Sequence, residues 1–140
     1  MPQTISELMT PDPRWVGRDA TLQEAARVMR DADIGDVVVL NDDGRVCGIV
    51  TDRDLVVRAV AEGMEPTAAQ VEAICNHEVV TIAPGDAVAR AVSLMRQHSV
   101  RRLPVVDRGR LVGIVTLGDL AVERDPDSAL ADISKAPPNN

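Results

Sequence analysis

Two short stretches carry the side chains best suited to chemistry. Thr51-x-x-Asp54 and Thr116-x-x-Asp119 set a hydroxyl and a carboxylate three residues apart, each at the end of a G-I-V-T run. Taken alone, this spacing is a helix N-terminal capping box, with Thr capping and Asp answering. The same groups can do more. A carboxylate at a helix start stays ionised and can accept two hydrogen bonds from a ribose diol. The Thr hydroxyl and the first-turn amides can hold a phosphate. Arg101-Arg102, just before Leu103-Pro104, supply planar guanidinium groups suited to bidentate phosphate contact. Arg53, between Thr51 and Asp54, can support a phosphate or pair with a nearby Asp as a surface charge.

Other chemistries find no support. Thr and Asp at capping spacing are not a catalytic dyad, and no nucleophile, base and orienting group can be assembled. No catalytic residue is assigned, and the chain is not read as an enzyme. G-I-V-T lacks the glycines of a phosphate-binding loop. His77 and His98 have no neighbours at metal-ligand spacing, and neither C-x-x-C nor H-x-x-x-H occurs, so no metal site is assigned. Cys47 and Cys75 do not make a disulfide framework and read as small buried hydrophobes.

Composition narrows the partners. The chain has 140 residues, 15 basic and 22 acidic, for a formal charge of −7. That charge disfavours general nucleic-acid binding. Trp15 is the only aromatic residue, which removes stacking platforms for single strands. With 45% hydrophobic residues, a core of Val, Ile, Leu, Ala and Met is expected. The N-terminus has no basic segment followed by an apolar run, and no stretch approaches the ~18 apolar residues of a membrane span. A cytoplasmic location without membrane contact is the expectation.

The elements that must hold these residues come in two copies. A shift of 66 places Ala25 on Ala91, Met29 on Met95, Arg30 on Arg96 and Val39 on Val105. It also places Ile5, Leu8 and Met9 on Val71, Ile74 and Cys75. After one deletion the shift is 65, and G-I-V-T at 48–51 falls on G-I-V-T at 113–116, with Asp54-Leu55 on Asp119-Leu120. The deletion falls in a turn, N-D-D-G at 41–44 against D-R-G at 107–109. Each copy predicts a short strand (Arg14–Val16; Val79–Ile82) and then a helix. Thr21 and Glu24 form a capping box for the first helix, and Asp86 caps the second. Leu22, Ala25, Ala26 and Met29, or Val88, Ala91, Val92 and Met95, make its apolar stripe. A hairpin follows (Asp36–Leu40 with Arg45–Val50; Leu103–Val106 with Arg110–Val115), then a second helix from Thr51 or Thr116. Glu62-Gly63 ends a helix, and another starts at Pro66-Thr67 with Val71 and Ile74 as its apolar positions. A short helix is expected around Ala129–Ile133, in a tail whose end reads as disordered.

The chain resembles a tandem pair of CBS motifs, the module named after cystathionine β-synthase. I-S-E-L-M-T-P at 5–11, T-L-Q-E-A-A-R-V-M at 21–29 and G-I-V-T-D-R-D-L at 48–55 carry the resemblance. H-S-V-R-R-L-P-V-V-D at 98–107 and G-I-V-T-L-G-D-L at 113–120 repeat it. It covers roughly residues 5–124, as motif 1 at 5–62 and motif 2 at 67–124, with a partly disordered tail at 125–140. Small stand-alone actinobacterial CBS-pair proteins are similar, which implies a bacterial source.

The resemblance implies an α/β (α+β) fold of two pseudo-two-fold-related β-α-β-β-α motifs packed through their small sheets. It implies a regulatory module that requires no cofactor. Such a module binds AMP, ADP, ATP or S-adenosylmethionine in a cleft between motifs, forms a homodimer and signals to a protein partner. Asp54 and Asp119 match the ribose-binding position, and Arg101 and Arg102 match positions often basic for phosphate. Backbone near Val16, Val37, Ile82 and Leu103 frames the base. Trp15 either stacks on a base or fills the cleft, with packing favoured. Motif 1 departs from the pattern: Gly35 and Asp36 stand where motif 2 has Arg101 and Arg102, and Gly118 stands opposite Arg53. One nucleotide site is therefore expected rather than two. The alternative is a ligand-free dimeric interaction or scaffold protein.

Overall fold

A computed structural model describes residues 4–124. In chain order the elements are α1 (Ile5–Leu8), β1 (Thr10–Pro11), β2 (Trp15–Gly17), α2 (Leu22–Ala32), β3 (Asp36–Leu40), β4 (Val46–Thr51) and α3 (Asp52–Asp54). After a π-helical segment at Leu55–Val60 and a 3-10 turn at Val71–Ala73 come α4 (Val88–His98), β5 (Arg102–Asp107), β6 (Arg110–Thr116) and α5 (Leu117–Arg124). The fold is mixed α/β with two three-stranded sheets. The helix expected near 129–133 and the tail end lie outside the described residues.

The chain forms two compact units, and they do not follow the sequence repeats. One runs Pro13–Val79; the other joins the described residues up to Asp12 to those from Val80. Each repeat's lead-in segment packs on the other repeat's sheet. Met9, after α1, lies against Gly113 of β6, and Cys75 lies against Gly48 of β4. Only glycine leaves room for these two sulfur atoms, which explains why each G-I-V-T run begins with one.

In the Pro13–Val79 unit the sheet order is β2-β3-β4, with β2 parallel to β3 and β3 antiparallel to β4. Leu22, Ala25 and Met29 of α2 are buried against Val37, Val39 and Val50. Thr21 Oγ1 accepts from the Glu24 amide at 3.1 Å, as expected, while Glu24 itself stays exposed. Ala26 is exposed and drops out of the apolar stripe. The helix expected from Pro66-Thr67 does not form. The carbonyls of Pro66 and Ala69 instead accept from the Gln23 and Leu22 amides, both at 3.0 Å, satisfying the first turn of α2. Only the 3-10 turn remains, and it still buries Val71 and leads into buried Ile74.

The other unit orders its sheet β1-β6-β5, all antiparallel. Its core joins Ile5 of α1 to Val88, Ala91 and Met95 of α4, and to Leu103, Val105 and Val115. The strand expected at Val79–Ile82 shrinks to one parallel bridge, Ile82 with Val105. Pro84 has no amide to extend the ladder, and the Ala83 amide turns to Asp86 Oδ2 at 3.0 Å. That bond also corrects the capping assignment. Ala87, not Asp86, is the N-cap of α4, with no side-chain cap. Ala87→Ser is therefore expected to stabilise the chain by about 0.5–1 kcal/mol, read as a higher urea midpoint.

Candidate functional site

In the unit that holds the second repeat, the end of the β5–β6 hairpin brings the predicted residues together. Arg102 is in register with Thr116, and the Leu117 amide donates to the Arg101 carbonyl at 2.8 Å. The Thr116 amide donates to Asp119 Oδ2 at 2.9 Å, and the Asp119 amide to Thr116 Oγ1 at 3.2 Å. The capping box is complete. It uses one carboxylate oxygen, and among the described residues Asp119 has no ion-pair partner. Arg101 and Arg102 are exposed beside it, and Asp119 is half-buried. A fixed carboxylate can take a diol, and basic residues on the neighbouring strand start can take an anion.

The first repeat builds the same frame from different charges. Asp36 is in register with Thr51, and the Asp52 amide donates to the Gly35 carbonyl at 3.0 Å. The Thr51 amide donates to Asp54 Oδ2 at 2.9 Å, and the Asp54 amide to Thr51 Oγ1 at 3.1 Å. Gly35 and Asp36 are thus the structural counterparts of Arg101 and Arg102. The Asp52 carboxylate lies over Gly35, 3.0 Å from where a Cβ would stand. Arg53 is exposed and makes no ion pair among the described residues. Arg58 makes one instead: its Nε is 3.7 Å from Asp54 Oδ1, while Nη1 donates to the Ile74 carbonyl at 3.2 Å. Sequence reasoning missed Arg58, although the i,i+4 spacing from Asp54 was visible.

The residues expected to frame a base lie deep. Val16 is 8% exposed, Val37 1%, Ile82 3% and Leu103 0%, so their side chains belong to the cores. The Ile82 amide donates to the Pro104 carbonyl at 3.1 Å, and its carbonyl accepts from the Val106 amide at 2.9 Å. The Ile82 amide is thus taken by the sheet, while its carbonyl keeps a second lone pair. Trp15, favoured above as packing, is 56% exposed on edge strand β2.

Cys75 is buried and Cys47 only half-buried. Burial, with Cys47 nearby, pushes the Cys75 thiol up from 9.0 to about 11. Because the folded value lies above the unfolded one, this group's contribution to stability is complete below pH ~9 and is lost as pH rises towards 11. A urea series from pH 8 to 11 should show that loss in the wild type and less of it in Cys75→Ala.

The CBS-domain family model matches residues 5–60 and 71–124. The chain belongs to the CBS-domain family. Hypoxic response protein 1 of Mycobacterium tuberculosis is 35% identical over 95% of this chain and 92% of that protein. A crystal structure of Hypoxic Response Protein I with two coordinated zinc ions is 36% identical at a TM-score of 0.78, covering 84% of this chain and 96% of that one. The CBS domain protein PAE2072 of Pyrobaculum aerophilum, complexed with AMP, is 30% identical at a TM-score of 0.77, covering 95% and 99%.

Among the described residues, no three His, Cys, Asp or Glu side chains gather into a group that could hold a metal. Cys75 Sγ and His77 Nε2, 3.5 Å apart, stop at two. No described helix is long and apolar enough to cross a membrane.

Proposed function

We propose that this CBS pair is a regulatory module, not an enzyme, that binds an adenosyl ligand at the Thr116–Asp119 helix start of motif 2. AMP, ADP, ATP and S-adenosylmethionine are the candidates, and no cofactor is required. The observation that supports this reading is the register of Arg102 with Thr116, which brings a basic strand start next to the backbone of a capped carboxylate. Asp119 takes the ribose diol, and Thr116, Arg101 and Arg102 take the phosphates. Leu103 and the strand ends near Ile82 supply the apolar surround. In motif 1 the corresponding set, Thr51, Arg53 and Asp54 with Val16 and Val37, faces Asp36 and Asp52 and suits a phosphate poorly. The AMP complex of PAE2072 supports an adenine nucleotide.

Occupancy signals to a protein partner by favouring one of two shapes, which requires unequal affinity for them. The chain works as a bacterial, cytoplasmic homodimer. Exposed Val56, Val57 and Val60, at 60%, 50% and 66%, supply apolar surface for a second copy. So does a groove of ≈ 620 Å³ between α4 and α5, lined by Val92, Met95, Leu117 and Leu120. Sedimentation showing only monomer at micromolar concentration would remove the dimer.

Thermal melting with AMP, ADP, ATP, S-adenosylmethionine and cyclic dinucleotides tests the ligand. At ~100 times its dissociation constant a ligand adds roughly 2.7 kcal/mol, a shift on the order of 6–15 °C. A selective shift for an adenosyl ligand supports the sensor. No shift across the panel contradicts it and favours the ligand-free interaction protein, for which the same exposed valines argue.

A further inference from the structure

The two motifs share a frame but differ at one residue that touches the ribose carboxylate. In both, Oδ2 of the Asp accepts from the Thr amide, at 2.9 Å, and Oδ1 is the oxygen without a backbone donor. In motif 1 the guanidinium of Arg58 faces that oxygen at 3.7 Å. Arg58 is not a loose surface charge there, because Nη1 is tied to the Ile74 carbonyl at 3.2 Å. A second anchor orders the side chain and lowers the entropy cost of its ion pair. In motif 2 the repeat shift of 65 puts an acidic residue, Glu123, opposite Arg58.

We infer that Arg58 is a specificity-determining residue that closes motif 1 to a ribose diol and thereby sets one adenosyl ligand per chain. This rests on the reading of Asp119 as the ribose carboxylate. The arrangement works by competition. A guanidinium already stands against Oδ1, and a neutral hydroxyl pair must displace it. The anchor on Ile74 keeps Arg58 from following the ligand out. Removing the guanidinium leaves Asp54 capped by Thr51 and presenting the same oxygen that Asp119 presents.

The test is calorimetric titration of the full chain with adenosine, which carries no phosphate for Asp36 and Asp52 to repel. Wild type is expected to bind one adenosine per chain. Arg58→Met is expected to bind two, and Arg58→Met with Asp54→Asn one again. Arg58→Lys, which keeps a cation near Oδ1, is expected to stay at one. Two ligands on the wild type, or one on Arg58→Met, would overturn the closure while leaving the Asp119 reading intact. Binding by Arg58→Met alone, abolished by Asp54→Asn, would support the closure and overturn the Asp119 site. Binding by neither protein would overturn both.

Discussion

Asp119→Asn is expected to lower AMP affinity roughly 10- to 100-fold, the worth of losing a hydrogen-bonded charge at ~1.5–3 kcal/mol. Its melting temperature without ligand should hardly move. Asn keeps a carbonyl oxygen that can accept from the Thr116 amide, so the cap seen at 2.9 Å survives. Asp119→Ala loses both functions and should also destabilise the chain by about 1 kcal/mol. The contrast separates binding from capping, which the sequence motif alone could not do. Asp54→Asn, in the equivalent capping box, should leave AMP binding unchanged, because Asp36 takes the register position that Arg102 has in motif 2. Titration calorimetry on the three variants, with melts in parallel, checks all of this. Equal losses in Asp54→Asn and Asp119→Asn would contradict the asymmetry.

Gly48→Val is expected to destabilise the chain by about 3 kcal/mol, lowering its melting temperature on the order of 10 °C. A Cβ at this position would lie 2.7 Å from Cys75 Sγ and 3.0 Å from the Asn76 carbonyl. The opposing segment cannot slide away. Ile49 and Asn76 exchange two backbone hydrogen bonds, at 3.1 and 2.9 Å, beside the contact. Cys75 is buried, with its sulfur one bond from Cβ, so no rotamer takes it far. Truncating it should recover part of the loss. The pair Gly48→Ala and Cys75→Ala should be markedly non-additive in urea unfolding. Gly113→Ala should be milder, because Met9 is long and flexible and can swing aside. An additive pair would mean that the backbone carbonyl, rather than the sulfur, sets the limit.

Much of this was legible in the chain itself. The repeat shift placed Gly35 and Asp36 opposite Arg101 and Arg102, and the strand registers of Thr51 and Thr116 repeat that pairing. Both Thr–Asp boxes were readable because capping is local: it depends on three-residue spacing and little else. The hairpins were readable from Val/Ile runs around Gly-containing turns, and Gly44 and Gly109 adopt φ near 82° as those turns require.

What the sequence concealed depends on distant partners. Met9 seats against Gly113 across a long separation, so local pattern could not show that the lead-in segments are exchanged. The segment from Pro66 has helical spacing, yet its carbonyls are drawn to the start of α2. Asp86 sits one residue before the N-cap, and loop closure on the Ala83 amide won over capping. Arg58 looked like one more surface cation until Ile74 supplied its second anchor.

The most direct test of the central claim is an amide NMR titration of the full chain with AMP. AMP is expected to give saturable shifts at Thr116, Leu117, Gly118 and Asp119, with Arg101 and Arg102, while Thr51 to Asp54 stay still. Shifts centred on Thr51 to Asp54, or none at either helix start at millimolar AMP, would contradict it.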